Sequence, residues 1–437
     1  MDSTSEIGAL IIEAGASGDL KKLKEMRRKV GDDTELRRIC DVYTDFSTGR
    51  CVLHHAAEIG HFQICKFLIH NLKVHIDART FTRDTPLIAA AKGEHVKIVE
   101  YLINQGASVS SANSKGSTAL HYAVLKDNRE LMELLVTKGA LLEVDSMDGT
   151  PLQIALSRVN VETVKFLLSH GAKPNICSLV LESPLVLAIK AHSFECFDLL
   201  LKARADPNMY IVGFSPLSYA AKVGDTKFLK SLLDAGADPN SSLIGHVKII
   251  EDAALVRDRE GVEILFPLTR PMKHYPEWTV DGIMDYCRSE RAKTERDEYK
   301  RLCLDALDKA GHAAMDLKQY RRAIVYFLTA QKFDLSNPKW ASKRSLCHAH
   351  GNKRVLALYS AEECIRIEPR FPYPHPGGDG AAAAEILKRF FLESLSFTLE
   401  PHNQKINDAF RVALFDYFAL LYLMSSPEEI LSFTQMS

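Results

Sequence analysis

The sequence predicts an all-α protein, a rod of stacked helix pairs followed by a second helical array. Two phrases that recur at one common step predict it, together with the short apolar stripe that lies between them. The first phrase reads VLHHAA at Val52–Ala57, TPLIAAA at Thr85–Ala91 and TALHYA at Thr118–Ala123. It returns as TPLQIA at Thr150–Ala155, SPLVLA at Ser183–Ala188 and SPLSYAA at Ser215–Ala221. Its leucines (Leu53, Leu87, Leu120, Leu152, Leu185 and Leu217) are 34, 33, 32, 33 and 32 residues apart. The second phrase keeps that step at Gly106-Ala107, Gly139-Ala140, Gly171-Ala172, Arg204-Ala205 and Gly236-Ala237.

Each element has a physical reason. Thr or Ser before Pro offers an oxygen to the free N–H groups of a helix start. Pro then takes the first helical position, where its missing N–H costs nothing. Leu and the alanines form an apolar stripe small enough for helices to approach closely. About ten residues on, a second stripe appears, as in HVKIVEYLI at His95–Ile103 and NVETVKFLL at Asn160–Leu168. The Gly of the second phrase ends that helix in the left-handed conformation. Arg204 stands there instead in one repeat and is expected to cost about 1 kcal/mol.

These phrases resemble ankyrin repeats, whose T-P-L-H-x-A motif recurs at this period. The resemblance covers residues 47–270 as an array, with the helical segment Ile7–Val30 as the core of an N-terminal cap, residues 1–46. GVEILFPLTRPM at Gly261–Met272 reads as a degenerate last repeat. One pair cannot bury both of its faces, so neighbours must stack. Residues 271–298 read as a linker: two prolines in Arg270–Pro276, then mixed charge from Arg288 that enters a solvated helix.

From about Tyr299 the pattern changes. Gly311, Tyr320, Ala323, Phe327 and Ala330 fall on two helical stretches, and Ala357 repeats Ala323 after 34 residues, with Ala361, Cys364 and Pro369 at matching places. This resembles tetratricopeptide (TPR) repeats over residues 299–405, with FLESLSFTLEP at Phe391–Pro401 similar to the second helix of a degenerate third unit. The order ankyrin-then-TPR, with KRSLCHAHG at Lys343–Gly351, resembles plant proteins that combine the two arrays. The resemblance implies a groove which, in co-chaperones, holds the acidic C-terminal peptides of Hsp70 or Hsp90 between Lys, Asn and Arg side chains. Here the first Lys position carries Asp308, the first Asn position His312 and the second Asn position Lys343. Where a fifth helix should begin, the sequence reads FPYPHPGGDG from Phe371 to Gly380, which is loop chemistry. Residues 406–437 read as an apolar tail, with Val412–Met424 as a capping helix or, alternatively, a membrane-surface or partner-docking segment.

Composition excludes other classes. Lys+Arg 55 against Asp+Glu 56 leaves a net charge of -1 over 437 residues, with no global pull toward nucleic acid or an anionic membrane. The start, with an acidic Asp2 and a short apolar run, does not read as a secretory signal. Val412–Met424, interrupted by Asp416, is shorter than the roughly 20 residues of a membrane helix. Nine cysteines without a CxxC pair fit a reducing compartment. The expectation is a cytoplasmic monomer, with the nucleus as the alternative site. No phosphate loop, HExxH helix, GxSxG elbow or kinase signature occurs. Cys347, His348 and His350 are no metal set, because residues two apart on a helix diverge. The sequon at Asn240 reads as chance, and His54 and His121 read as bridges between neighbouring loops.

The expected function is therefore a non-enzymatic protein–protein adaptor without cofactor or metal, and the co-chaperone resemblance supplies the alternative. Candidate contacts are the residues one before each cap, which vary within a fixed pattern: Arg50, Asp84, Ser117, Glu182 and Phe214. In the second array they are His312, Lys343 and Arg344.

Overall fold

Helices start where the sequence provides an oxygen. Thr85 Oγ1 accepts from Ile88 N at 3.3 Å, and Ser183 and Ser215 accept from Val186 N and Ser218 N at 3.2 Å each. Where His follows three residues after the cap, it closes the reciprocal bond: Cys51 N and Thr118 N donate to Nδ1 of His54 and His121. A computed structural model describes residues 3–45, 48–176, 182–209, 215–241, 248–272 and 275–351, together with 357, 360, 363, 364, 366 and 367. Phe214, the FPYPHPGGDG stretch, the third TPR-like unit and the apolar tail lie outside the described residues.

Three helices open the chain: α1 (Ser3–Ser17), α2 (Leu20–Val30) and α3 (Asp33–Val42). The pairs then follow at the expected step. They are α4 (Val52–Ile59) with α5 (Phe62–Lys66), α6 (Pro86–Lys92) with α7 (Val96–Asn104), and α8 (Ala119–Leu125) with α9 (Arg129–Thr137). Next come α10 (Pro151–Ser157) with α11 (Val161–Ser169), and α12 (Pro184–Lys190) with α13 (Phe194–Lys202). The last are α14 (Pro216–Val223) with α15 (Thr226–Asp234), and α16 (Ile249–Leu255) with α17 (Arg259–Leu265). Among the described residues there is no strand, only an isolated bridge between Ser146 and Gly149. The fold is all-α, and its repeats form a solenoid.

The six phrase leucines are each 0–1% exposed and share one core that runs from Ile11 to Cys287. Burying each contributes on the order of 1.5–3 kcal/mol. The sequence reads the unit after Ala237 as degenerate, and the structure gives it a full helix pair. Its first helix has no Thr-Pro-Leu; Lys248 N donates instead to Glu251 Oε2 at 3.0 Å. The stretch read as a linker contains α18 (Val280–Arg288), whose Ile283, Met284 and Cys287 are buried in the same core.

Backbone sign repeats as well. Gly106, Gly139, Gly171 and Gly236 take φ of 84–95°, and Arg204 follows at 64°. A second left-handed position per repeat, between the paired helices, is not marked by any sequence phrase: Gly60, Glu94, Asp127, Val159, His192, Gly224 and Arg257. Val159, with φ 56° and 45% exposure, is β-branched, the side-chain type least tolerated there. Val159→Gly is expected to raise unfolding stability by about 1 kcal/mol in urea titration; a loss would show that its side chain packs more than its backbone strains.

The chain divides at residues 301/302 into two units. The second holds α20 (Tyr320–Phe333) and α21 (Lys339–His350), with the C-terminal part of α19 (Glu290–Asp316). Its core is Ala314, Ala323, Phe327, Ala330, Trp340 and Cys347. A Cβ on Gly311 would run into the Phe327 ring, which is why that position is glycine.

Candidate protein-interaction surface

Successive repeats are tied by loops. Phe81 N donates to Thr48 O at 3.1 Å, Ser114 N to Thr82 O at 2.8 Å and Met147 N to Lys115 O at 2.9 Å. His54 Nε2 meets Asp84 O at 3.0 Å, and Gln153 Nε2 donates to Glu182 O at 3.0 Å. The H position of the phrase thus bridges one loop to the next at His54 and Gln153, whereas the buried His121 Nε2 makes no such bond among the described residues. Further along, Asn175, Asn208 and Asn240 form a ladder. Each amide donates to the next repeat (Arg204 O, Gly236 O and Leu268 O, at 3.1, 2.9 and 2.8 Å). Each side-chain oxygen accepts from the same repeat (Asp206 N, Asp238 N and Arg270 N). Asn240, the sequon asparagine, is spent on this ladder.

Three of the residues one before a cap, Arg50, Asp84 and Glu182, are tied back to their own repeat, eight positions on. Arg50 Nη1 pairs with Glu58 at 2.5 Å, Lys92 Nζ with Asp84 at 2.6 Å and Lys190 Nζ with Glu182 at 3.0 Å. Asp84, only 6% exposed, also accepts from Asn113 Nδ2 at 2.9 Å and Thr82 Oγ1 at 3.1 Å. Burial opposes its ionisation, yet the Lys92 and Asn113 hydrogen bonds hold its carboxyl below the usual range. Ser117 is 4% exposed, and its N–H donates to Asn113 Oδ1 at 2.9 Å. Asp84 and Ser117 therefore sit inside the loop, against the sequence expectation of a solvent-facing tip, because the turn before them folds over its own Asn and Thr side chains.

Exposure moves to neighbouring positions. Phe81, Thr82 and Arg83 are exposed, as are Lys115 and Asp148 at the corresponding turns. On the first helices it gathers at their C-terminal ends, where the exposed Lys126, Arg158, Lys190 and Lys222 and the half-buried Lys92 place one cation per repeat over five repeats. At Asp84–Lys92 and Glu182–Lys190 the pairing over eight residues sets loop and helix end side by side. Its signal was present in the sequence as opposite charges eight apart.

In the second unit His312, Lys343 and Asp308 do come together. Lys343 Nζ lies 2.6 Å from Asp308 Oδ1 and 2.9 Å from His312 Nε2, and Lys339 Nζ lies 2.8 Å from Asp308 Oδ2. Although burial opposes it, these lysine hydrogen bonds hold the Asp308 carboxyl low. Arg344 Nη2 pairs with Glu363. The two basic groove candidates thus already carry carboxylates of the chain itself. Among the described residues no group of three His, Cys, Asp or Glu could hold a metal ion, and no helix is long and apolar enough to cross a membrane.

A profile of ankyrin repeats matches residues 11–113, 105–178 and 177–242. That is more than half of the chain, and the chain belongs to the ankyrin-repeat family. It is similar to an ankyrin repeat protein of Fowlpox virus, 31% identical over 155 residues, 33% of this chain and 45% of that protein. It also resembles an L-asparaginase of Dirofilaria immitis, 30% identical over 192 residues, 43% of this chain and 32% of that one. Ankyrin repeat and SOCS box protein 14 of Mus musculus is 33% identical over 138 residues, 30% of this chain and 23% of that one. The chain spans less than half the length of each of these relatives.

Proposed function

We propose that this protein is a non-enzymatic adaptor, residing in the cytoplasm, that grips a partner polypeptide with the exposed turns and first-helix ends of residues 47–270. One observation carries this reading: buried phrase residues repeat nearly unchanged, while the exposed turn residues differ among the three turns that carry Arg83, Lys115 and Asp148. A constant core with variable exposed positions is what a stacked array offers to a partner. The earlier candidates Arg50, Asp84 and Glu182 serve it indirectly, by fixing loop to helix.

Residues 299–405 complete the proposal as a TPR-like unit. Gly311 against Phe327, with buried Ala323 and Ala330 at helix contacts, supports that reading. A groove there would meet a partner with His312 exposed and with Lys343 and Arg344 already paired. Photo-crosslinking groups placed at Arg83 and Lys115 are expected to trap a partner in cell extract, whereas one at Lys165 on α11 traps none. Equal capture from all three positions would sink the turn surface.

A further inference from the structure

Near the start of the solenoid, α2 and α5 line an open, largely polar cleft of about 700 Å3. Lys24, Arg27, Arg28 and Lys66 line it against a single carboxylate, Asp33. The surplus is local, because the whole chain carries a net charge of -1. Asp33 also shows how the cleft handles a carboxylate. Arg27 Nε and Nη2 grip its two oxygens at 2.6 and 2.5 Å, the planar two-point geometry in which guanidinium recognises carboxylate. The Arg27 guanidinium lies over the Phe67 ring at 5.9 Å, which fixes its plane. Phe67 opens a wider π-helical turn, Phe67–Asn71, that continues α5, a helix irregularity common at functional positions.

Lys24, Arg28 and Lys66 are exposed and have no acidic partner among the described residues. Three uncompensated cations around one concavity concentrate an anion and speed its encounter. The observations favour a polypeptide over a lipid surface. The apolar side of α2 is committed to the core through Leu23 and Met26, so α2 has no apolar face to insert into acyl chains. The amide side chains of Gln63 and Asn71 at the rim can hold a peptide backbone.

We infer that the cleft between α2 and α5 is a second docking site, for an acidic segment of a partner protein, seated on Arg28, Lys24 and Lys66. It lies on second helices and does not rest on the turn surface proposed above. A fluorescein-labelled octaglutamate peptide titrated with the full chain at low salt is expected to bind, and to be released as salt rises. The double variant Arg28→Glu, Lys66→Glu should lose about ten-fold or more in affinity. Reversing two exposed cations elsewhere, Lys97→Glu with Lys165→Glu, should change it by no more than about twofold. Circular dichroism melting checks that both variants fold; should the first not fold, Arg28→Gln with Lys66→Gln replaces it. No peptide binding by the native chain, equal loss in both variants, or binding confined to phosphatidylserine vesicles would each overturn the assignment.

Discussion

Phe197→Ala is expected to lower unfolding stability by about 3–5 kcal/mol. Phe197 is fully buried, and its ring meets Phe228 edge-on at 5.0 Å and Phe194 at 5.7 Å. This aromatic cluster joins α13 to α15, so truncation removes both intra-repeat packing and the interface between neighbours. In an array held by nearest-neighbour contacts, that interface is where cooperativity can break. Urea titration should therefore show a lower midpoint and a shallower or split transition. A shift of less than about 1 kcal/mol would mean that the cavity collapses and that the aromatic seam contributes little.

Asp252→Asn is expected to stabilise the protein at pH 8 by roughly 2–4 kcal/mol and to leave it unchanged near pH 4. Asp252 is 3% exposed on α16; Ser218 Oγ donates to it at 3.0 Å, and Lys222 Nζ stands 3.7 Å away. Burial lifts its carboxyl to about 7, against the pull of Lys222. The folded value lies above the unfolded one, so the penalty is absent below the unfolded value. It grows as pH rises from about 4 through 7. An asparagine keeps an acceptor for Ser218 and removes the buried charge. Two histidines act in the opposite sense. Burial drops His54 and His121 to about 4, so stability is lost as pH falls from about 6.5 toward 4. Thermal melts of both proteins across this range separate the contributions; parallel curves at every pH would mean that Asp252 keeps its ordinary acidity.

The solenoid was legible because six copies of one phrase leave little freedom: Leu87, Pro86 and Thr85 each do in the structure what their chemistry dictates. Legibility failed where a role was filled by another residue type. The pair α16–α17 hides behind KIIEDAAL, in which the Lys248–Glu251 contact replaces the Thr-Pro start. The left-handed turn at Val159 was invisible because nothing about valine signals it. At the surface, residue type told less than three-dimensional pairing. Asp84 looks like a solvent-facing acid until Lys92, Asn113 and Thr82 are seen around it. Lys343 looks like a free donor until Asp308, 35 positions earlier, is found on it.

Each rung of the asparagine ladder reaches only from one repeat to the next, and this bears on how the array answers a pulling force. Tension on the ends loads Asn175, Asn208 and Asn240 in series. A series yields at its weakest rung and leaves the others intact. Unravelling then releases chain in parcels of one repeat, on the order of 110 Å when stretched, so the array lengthens in steps.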